Sequence, residues 1–348
     1  MKHRVTLKDI ARHTGVHVST VSRALDPAKS TTISDGMRKQ ITDAASALGY
    51  RPNRLAAGLR TNRSMTVGVM IPDITNALFP PIVRGIESVL EPLGYASILV
   101  NTDSEPEREA RLVEVLRDRG VDGIIHAAAL RQDPTIARAA EAGMPVVTLN
   151  RRIEGAEIPF VINDEDAGIR LAVAHLHGLG HRRIAHVAGP QNLSTGQLRA
   201  EAFRRAIRAL DLPADPRLIS EAQRFDEDEG ARAAEHLLDT APPFTAMVCA
   251  NDRLALGALS VLRARGVPCP AEVSVTGFNN MPFLDRIEPA LTTISIRQAE
   301  AGAIAARRLI ALIGGEAPGG MLETVLPVEL VVRGSTGPCP TLESPRDL

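Results

Sequence analysis

The 348 residues carry 40 Lys+Arg against 41 Asp+Glu and three cysteines. That length exceeds one comfortable hydrophobic core, and the cysteine count is too low for a disulfide framework. The near-zero net charge hides a divided chain: residues 1–63 hold 12 basic and 4 acidic residues, net +8, and the remainder 28 and 37, net −9, so a phosphate-neutralising head precedes an acidic body.

In chain order, Thr6 to Leu25 reads as two short helices around Gly15, the layout that sets a helix into the major groove of DNA. Ile10, Ala11, Val16, Val21 and Leu25 close a small core, leaving Ser19, Thr20, Ser22 and Arg23 to meet bases and phosphates. Thr6 starts the first helix with Asp9 three residues on, although Asp reaches back less well than the Glu or Gln of a full capping box. Met37, Ile41, Ala44, Ala45 and Leu48 recur at helical spacing and predict a third helix from Ser34 to Leu48, stopped by Gly49-Tyr-Arg-Pro52. Asn53 to Leu59 is then a helix too short to stand alone in water. Bound to DNA it presents Leu59 as an apolar wedge for the minor groove, with Arg54 and Arg60 near phosphates; otherwise it is a linker.

Past Ser64 the pattern becomes β-α. Strands are predicted at Met65–Ile71, Ala96–Val100, Gly123–Ile125, Val146–Leu149, Arg183–Val187, Ala246–Cys249 and Val273–Thr276. Between them lie helical stretches such as Pro81–Leu93, Glu107–Arg117, Asp166–His177, Leu198–Ala209 and Leu254–Arg265. So many repeats favour two parallel-sheet lobes with a ligand cleft between them.

No Gly-x-Gly-x-x-Gly follows the first strand, and no phosphate-binding Lys-Ser/Thr loop or Ser/Cys nucleophile motif is present, so neither enzyme chemistry nor a cofactor is expected. Cys249, Cys269 and Cys339 lack paired spacing and are read as reduced thiols. His175, His177, His181 and His186 are interrupted by Arg182 and Arg183; they fit capping or surface roles, and no metal site is expected. No apolar run reaches transmembrane length, and Met1-Lys-His-Arg-Val leads into the first helix without a secretory segment. The expected setting is the cytoplasm, with no membrane partner.

Ordered motifs then accumulate over Val5 to about Ser335: Thr6-Leu-Lys-Asp-Ile-Ala, Val18-Ser-Thr-Val-Ser-Arg-Ala-Leu, Gly49-Tyr-Arg-Pro-Asn-Arg-Leu-Ala and Ile71-Pro-Asp-Ile-Thr-Asn, later joined by Gly180-His-Arg-Arg-Ile-Ala, Cys249-Ala-Asn-Asp, Val275-Thr-Gly-Phe and Pro289-Ala-Leu-Thr-Thr-Ile. In this order they resemble the LacI/GalR family of transcriptional regulators. The resemblance implies an all-α helix-turn-helix head and hinge helix followed by two α/β periplasmic-binding-protein-like lobes with parallel sheets. Its boundaries would be 1–50 for the head, 51–64 for the hinge, 65–166 plus 295–325 and 167–294 plus 326–336 for the lobes, and 337–348 for a flexible tail. It further implies a homodimer on a pseudo-palindromic double-stranded operator, probing it with Thr6, His17, Val18, Ser19, Thr20, Ser22, Arg23, Asn53, Arg54 and the wedge Leu59. His17 departs from the family, where Ser usually opens the reading helix. Repression is favoured over activation, under allosteric control by a small effector whose sign of action stays open.

By the same resemblance, Arg199 clamps effector oxygens and Asn251 supplies an amide, while Asp252 holds the loop; Asp73, Asn76 and Phe79 line the first strand's exit. Asn150 and Asn279 stand where sugar-responsive relatives often carry acids. With Arg199 and Arg151 these amides favour an organic anion such as a sugar acid, with a neutral sugar as the alternative. The readings of another class are a cytoplasmic small-molecule-binding protein and a partner-binding protein.

Overall fold

The computed structural model describes residues 5–25, 33–50, 63–316 and 322–340, in a head of residues 1–64 and a body of residues 65–348. In the head, α1 (Leu7–Thr14), α2 (Val18–Ala24) and α3 (Asp35–Ala47) pack Ile10, Val21, Ala24, Ile41, Ala44 and Ala45 into a core, with Ala11, Val16 and Leu25 partly buried against it. Thr6 is extended, and its backbone N–H and hydroxyl both donate to Asp9 Oδ2, at 2.9 and 2.7 Å. Asp9 therefore does reach back to the cap. Gly15 ends α1 at φ 72°, a conformation that costs glycine nothing. Asn53, Arg54 and Leu59 lie outside the described residues.

The body holds two six-stranded sheets. The first, ordered β11-β5-β4-β3-β1-β2, is built from β1 (Thr66–Ile71), β2 (Ala96–Asn101), β3 (Gly123–His126), β4 (Val146–Leu149), β5 (Phe160–Asn163) and, far along the chain, β11 (Glu323–Leu326). Its connecting helices are α4 (Phe79–Leu90), α5 (Pro106–Asp118) and α6 (Pro134–Glu141). After β5 the chain enters α7 (Glu165–Gly178) and the second sheet, β12-β10-β9-β8-β6-β7. This consists of β6 (Ile184–Ala188), β7 (Ile219–Glu221), β8 (Ala246–Cys249), β9 (Ser274–Asn279), β10 (Thr292–Ser295) and β12 (Glu329–Val331), with α8 (Ser194–Ala209), α9 (Glu227–Thr240) and α10 (Asp252–Ala264). From β10 the chain returns to the first sheet through α11 (Gln298–Ile313) and β11, then crosses back into β12. All pairings are parallel except β10 with β12.

Where α11 lies across α4, backbones touch. A Cβ on Gly85 would sit 2.0 Å from the Ala299 carbonyl oxygen, and one on Gly302 would sit 2.2 Å from that of Ile82. Neither neighbour is a flexible side chain, so Gly85→Ala is expected to separate the helices and lower stability by about 1–3 kcal/mol despite alanine's better helix propensity. Urea unfolding measures it, and an unchanged midpoint would show that the two helices slide freely.

Two expectations change here. The C-terminal segment is pinned to the second lobe as far as Pro340: Gly337 N–H donates to Ser274 Oγ at 3.1 Å and Cys339 N–H to the Leu179 carbonyl at 2.8 Å. His181 and His186 are buried, not at the surface. His181 bonds Thr245 Oγ1 and the Gly337 carbonyl. His186 donates from Nδ1 to the Val248 carbonyl at 2.8 Å and stacks on Phe203 with ring centres 4.5 Å apart. Burial pushes its pKa down to about 4, so it is a neutral core ring.

Candidate functional site

On the head, Thr6, His17, Ser19 and Arg23 are exposed, while Val18, Thr20 and Ser22 are half-buried along the same short helix. His17 serves as N-cap of α2: its Nδ1 accepts from the Ser19 backbone N–H at 3.3 Å. With Nδ1 engaged by Ser19, whose Oγ also lies 2.8 Å from it, Nε2 is the ring nitrogen left for a further contact. The His at this position thus caps α2.

In the body, the candidate residues converge at the C-terminal ends of the strands of both sheets, where parallel sheets bind ligands. Asp73 and Asn76 follow β1, Asn150 and Arg151 follow β4, Asn251 follows β8, and Asn279 ends β9. Asn150 and Asn279 adopt φ 65° and φ 114°, a region that Asn enters more readily than most residues.

Several polar contacts join the lobes at the strand exits. Arg131 N–H donates to the Asn192 carbonyl at 2.9 Å, Arg152 N–H to Ser194 Oγ at 3.0 Å, and Arg253 Nη1 to Asp73 Oδ2 at 2.8 Å. Arg253 also grips Glu227 through Nε and Nη2, which ties β1's exit loop to α9 and α10. Burial raises the Asp73 carboxyl, but its hydrogen bonds to Thr75 and Arg253 outweigh that and hold it below the usual range.

Arg199 is buried at the centre. Its Nε donates to Glu165 Oε2 at 2.5 Å, its Nη1 to the Ala250 carbonyl at 2.6 Å, and its guanidinium lies 3.7 Å over the Phe278 ring. Arg151, also buried, donates from Nη1 to the Ala128 carbonyl at 2.8 Å, and burial pushes its pKa down to about 10. Asp252 receives Met281 N–H at 2.9 Å and Thr293 Oγ1 at 2.5 Å; burial pushes its pKa up to about 7. Burial likewise raises Glu165, against the pull of Arg199.

Three assigned residues have structural partners. Phe79, expected as an apolar wall, is buried in the apolar core at the start of α4. Asn251 Oδ1 caps α10 by accepting Leu254 N–H at 2.8 Å, and Asn76 Oδ1 accepts Leu78 N–H at 3.0 Å. Beside the same strand ends lie Arg152, Asn163, Glu165 and Ser194. Several buried atoms of the cleft make no hydrogen bond: Asn150 Oδ1, Asn163 Oδ1, Glu165 Oε1 and Asn279 Oδ1 among acceptors, Arg151 Nε and Arg152 Nε among donors. Buried polar groups left so are costly, and a cleft that concentrates them is built for a polar ligand. A cavity of about 290 Å³ lined by Ile184, Phe203, Ile207 and Leu218 opens near the start of β6, the opposite end of the strand from these groups.

The model of the bacterial regulatory proteins of the lacI family matches residues 6–53, and that of the periplasmic binding protein-like domain matches residues 173–336. The chain is 32% identical over 335 residues to the HTH-type transcriptional regulator RegA of Clostridium saccharobutylicum, covering 95% of this chain and 99% of that protein. With the HTH-type transcriptional regulator MalR of Streptomyces coelicolor it shares 35% identity over 345 residues, 96% of this chain and 97% of that one. Among solved structures, the lac repressor dimer bound to operator and the anti-inducer ONPF superposes with a TM-score of 0.84 at 29% identity, over 96% of this chain and 100% of that one. A complex of the regulator CelR with cellobiose gives 0.73 at 32% identity, over 95% and 100%.

Proposed function

The chain belongs to the lacI family of bacterial regulatory proteins, and on that premise we propose that its effector is an uncharged, polyhydroxylated small molecule of the sugar class. The protein is a DNA-binding transcriptional repressor, not an enzyme; it acts as a homodimer on operator DNA under the control of a small-molecule effector. On this reading the head, residues 1–50, and the hinge, 51–64, precede lobes 65–166 plus 295–325 and 167–294 plus 326–336, which close on the effector.

The observation that carries the effector class is the mixture of unpaired donors and acceptors around an Arg199 charge that Glu165 already meets. Glu165 meets the Arg199 charge at 2.5 Å and still offers Oε1, so an incoming anion would face a carboxylate. A hydroxyl both donates and accepts, and several on one ring satisfy such a mixture. This weighs against the organic anion that the two arginines alone favour. The resemblance to a structure holding cellobiose agrees with it. Calorimetry on the full chain with neutral mono- and disaccharides beside their matched sugar acids tests the reading: saturable binding is expected only among the neutral set, and selective binding of an acid would overturn it.

On the head we assign Val18 and Ser19 to base edges and Thr6, His17, Thr20, Ser22 and Arg23 to phosphate and groove walls, with Asn53, Arg54 and Leu59 acting from the hinge. Ser19→Ala is then expected to relax base preference at one operator position by about 1–3 kcal/mol. Arg23→Ala should weaken all sequences alike and reduce the salt slope by about one. Fluorescence anisotropy over a salt series separates the two patterns, and a base-specific effect of Arg23→Ala would reverse the assignments.

A further inference from the structure

Beside the cleft, one imidazole and two carboxylates meet inside the first lobe. His126 ends β3, Glu109 lies in the first turn of α5 and Asp133 caps α6, and all three are buried. His126 Nε2 stands 3.3 Å from Glu109 Oε2 and 3.5 Å from Asp133 Oδ2, and the three candidate ligand atoms lie within 4.8 Å of one another. Yet neither ring nitrogen of His126 makes a directional hydrogen bond, although the side chain is wholly shielded from solvent. Nε2 thus lies within 3.5 Å of an oxygen of each carboxylate.

We propose that Glu109, His126 and Asp133 form a binding site for a divalent transition-metal ion, such as Zn²⁺ or Mn²⁺. Two ligand atoms each about 2.1 Å from an ion, subtending about 110° there, are about 3.4 Å apart. The two nitrogen-to-oxygen separations bracket that value. Two carboxylates and a neutral imidazole bring two negative charges, which a divalent ion cancels in a place where an unbalanced charge is costly. One nitrogen and two oxygens without a thiolate suit Zn²⁺ and Mn²⁺ better than soft ions.

The site is placed to stiffen the cleft. Asp133 also accepts the N–H groups of Ile136 at 3.0 Å and Leu130 at 3.4 Å. The loop it closes carries the Ala128 carbonyl that receives Arg151 and the Arg131 N–H that reaches Asn192 in the other lobe. The bound ion therefore braces the loop through which the lobes touch. The Arg151 guanidinium also lies within electrostatic reach of Glu109.

The test uses the full chain, stripped with EDTA and titrated with Co²⁺ and then Zn²⁺. One Co²⁺ per chain is expected, with visible d–d absorption that Zn²⁺ displaces. The affinity should fall more than about 100-fold in both His126→Gln and Glu109→Gln while far-UV circular dichroism stays native. Should His126→Gln fail to fold, the ¹⁵N resonance of the wild-type His126 ring, shifting at Nε2 on Zn²⁺ addition, gives the same answer. Absence of binding below millimolar concentration in the folded chain overturns the proposal in favour of a metal-free charge cluster of His126 with its two carboxylates. So does absorption that survives both substitutions, because surface histidines would then hold the ion.

Discussion

Arg199→Ala is expected to abolish effector binding and to lower the stability of the body by about 3–5 kcal/mol, the cost of leaving a buried charge without its partner. Arg199 makes three different contacts at once, a 2.5 Å bond to Glu165, a 2.6 Å bond to the Ala250 carbonyl and a stack 3.7 Å over Phe278. Its loss strands a carboxylate whose Oε1 already lacks a partner and opens a void against the ring. Arg199→Lys keeps the charge but neither the planar fork nor the stack, so it should retain part of the stability and little of the binding. The two roles separate in a double variant. Arg199→Met with Glu165→Gln removes both charges and fills the space, so urea unfolding should return to near the wild-type midpoint while calorimetry still detects no effector. If Arg199→Ala binds effector with wild-type affinity, the cleft assignment fails even where stability falls.

Much of this was legible in the sequence, for identifiable reasons. The head is local: Met37, Ile41, Ala44, Ala45 and Leu48 recur at helical spacing, and Gly15 marks the turn between α1 and α2. β1, β4 and β8 are runs buried on both faces, and such strands announce themselves by apolarity alone. β7 and β12 have three residues each and sit at sheet edges, too short to carry any pattern, and only the fold recruits them. The cleft was half visible. Residues at strand exits could be named, but Asn251 and Asn76 prove to satisfy backbone N–H groups beside them, a demand that the same sequence position makes whether or not a ligand binds. Glu165 was hidden because an acid in the first turn of a helix is ordinary there; its meeting with Arg199, 34 positions on, is set by how α8 packs on α7. Counting arginines without that partner is what tilted the sequence toward an anionic effector.

Asp252 yields the second large effect, and it depends on pH. In the unfolded chain its carboxyl titrates near 3.8, whereas burial pushes it up to about 7 in the folded one. Between those values the folded chain holds a proton that the unfolded chain has released. The contribution of this group to stability is therefore fully present below pH 3.8, is lost as pH rises through the window, and levels off above 7. Three units correspond to about 4 kcal/mol. Asp252→Asn copies the protonated form, with its oxygen accepting Met281 N–H and its amide donating to Thr293 Oγ1, the two partners of the native carboxyl. The variant should match wild type near pH 4 and exceed it progressively up to about pH 8. Asp252→Ala instead strands both partners and should lose about 2–4 kcal/mol near pH 4, where the native carboxyl is still protonated. It should also release the following loop, where Asn279, Asn280 and Phe283 are held at φ 114°, 53° and 71°, and with it the effector-facing Asn279. Urea midpoints measured every half unit from pH 4 to 8 give the difference curve. A flat difference between Asp252→Asn and wild type would mean that the folded carboxyl is ionised throughout, stabilised by the Arg199 charge in the same lobe, and the cleft would then carry one more negative charge for its ligand to meet.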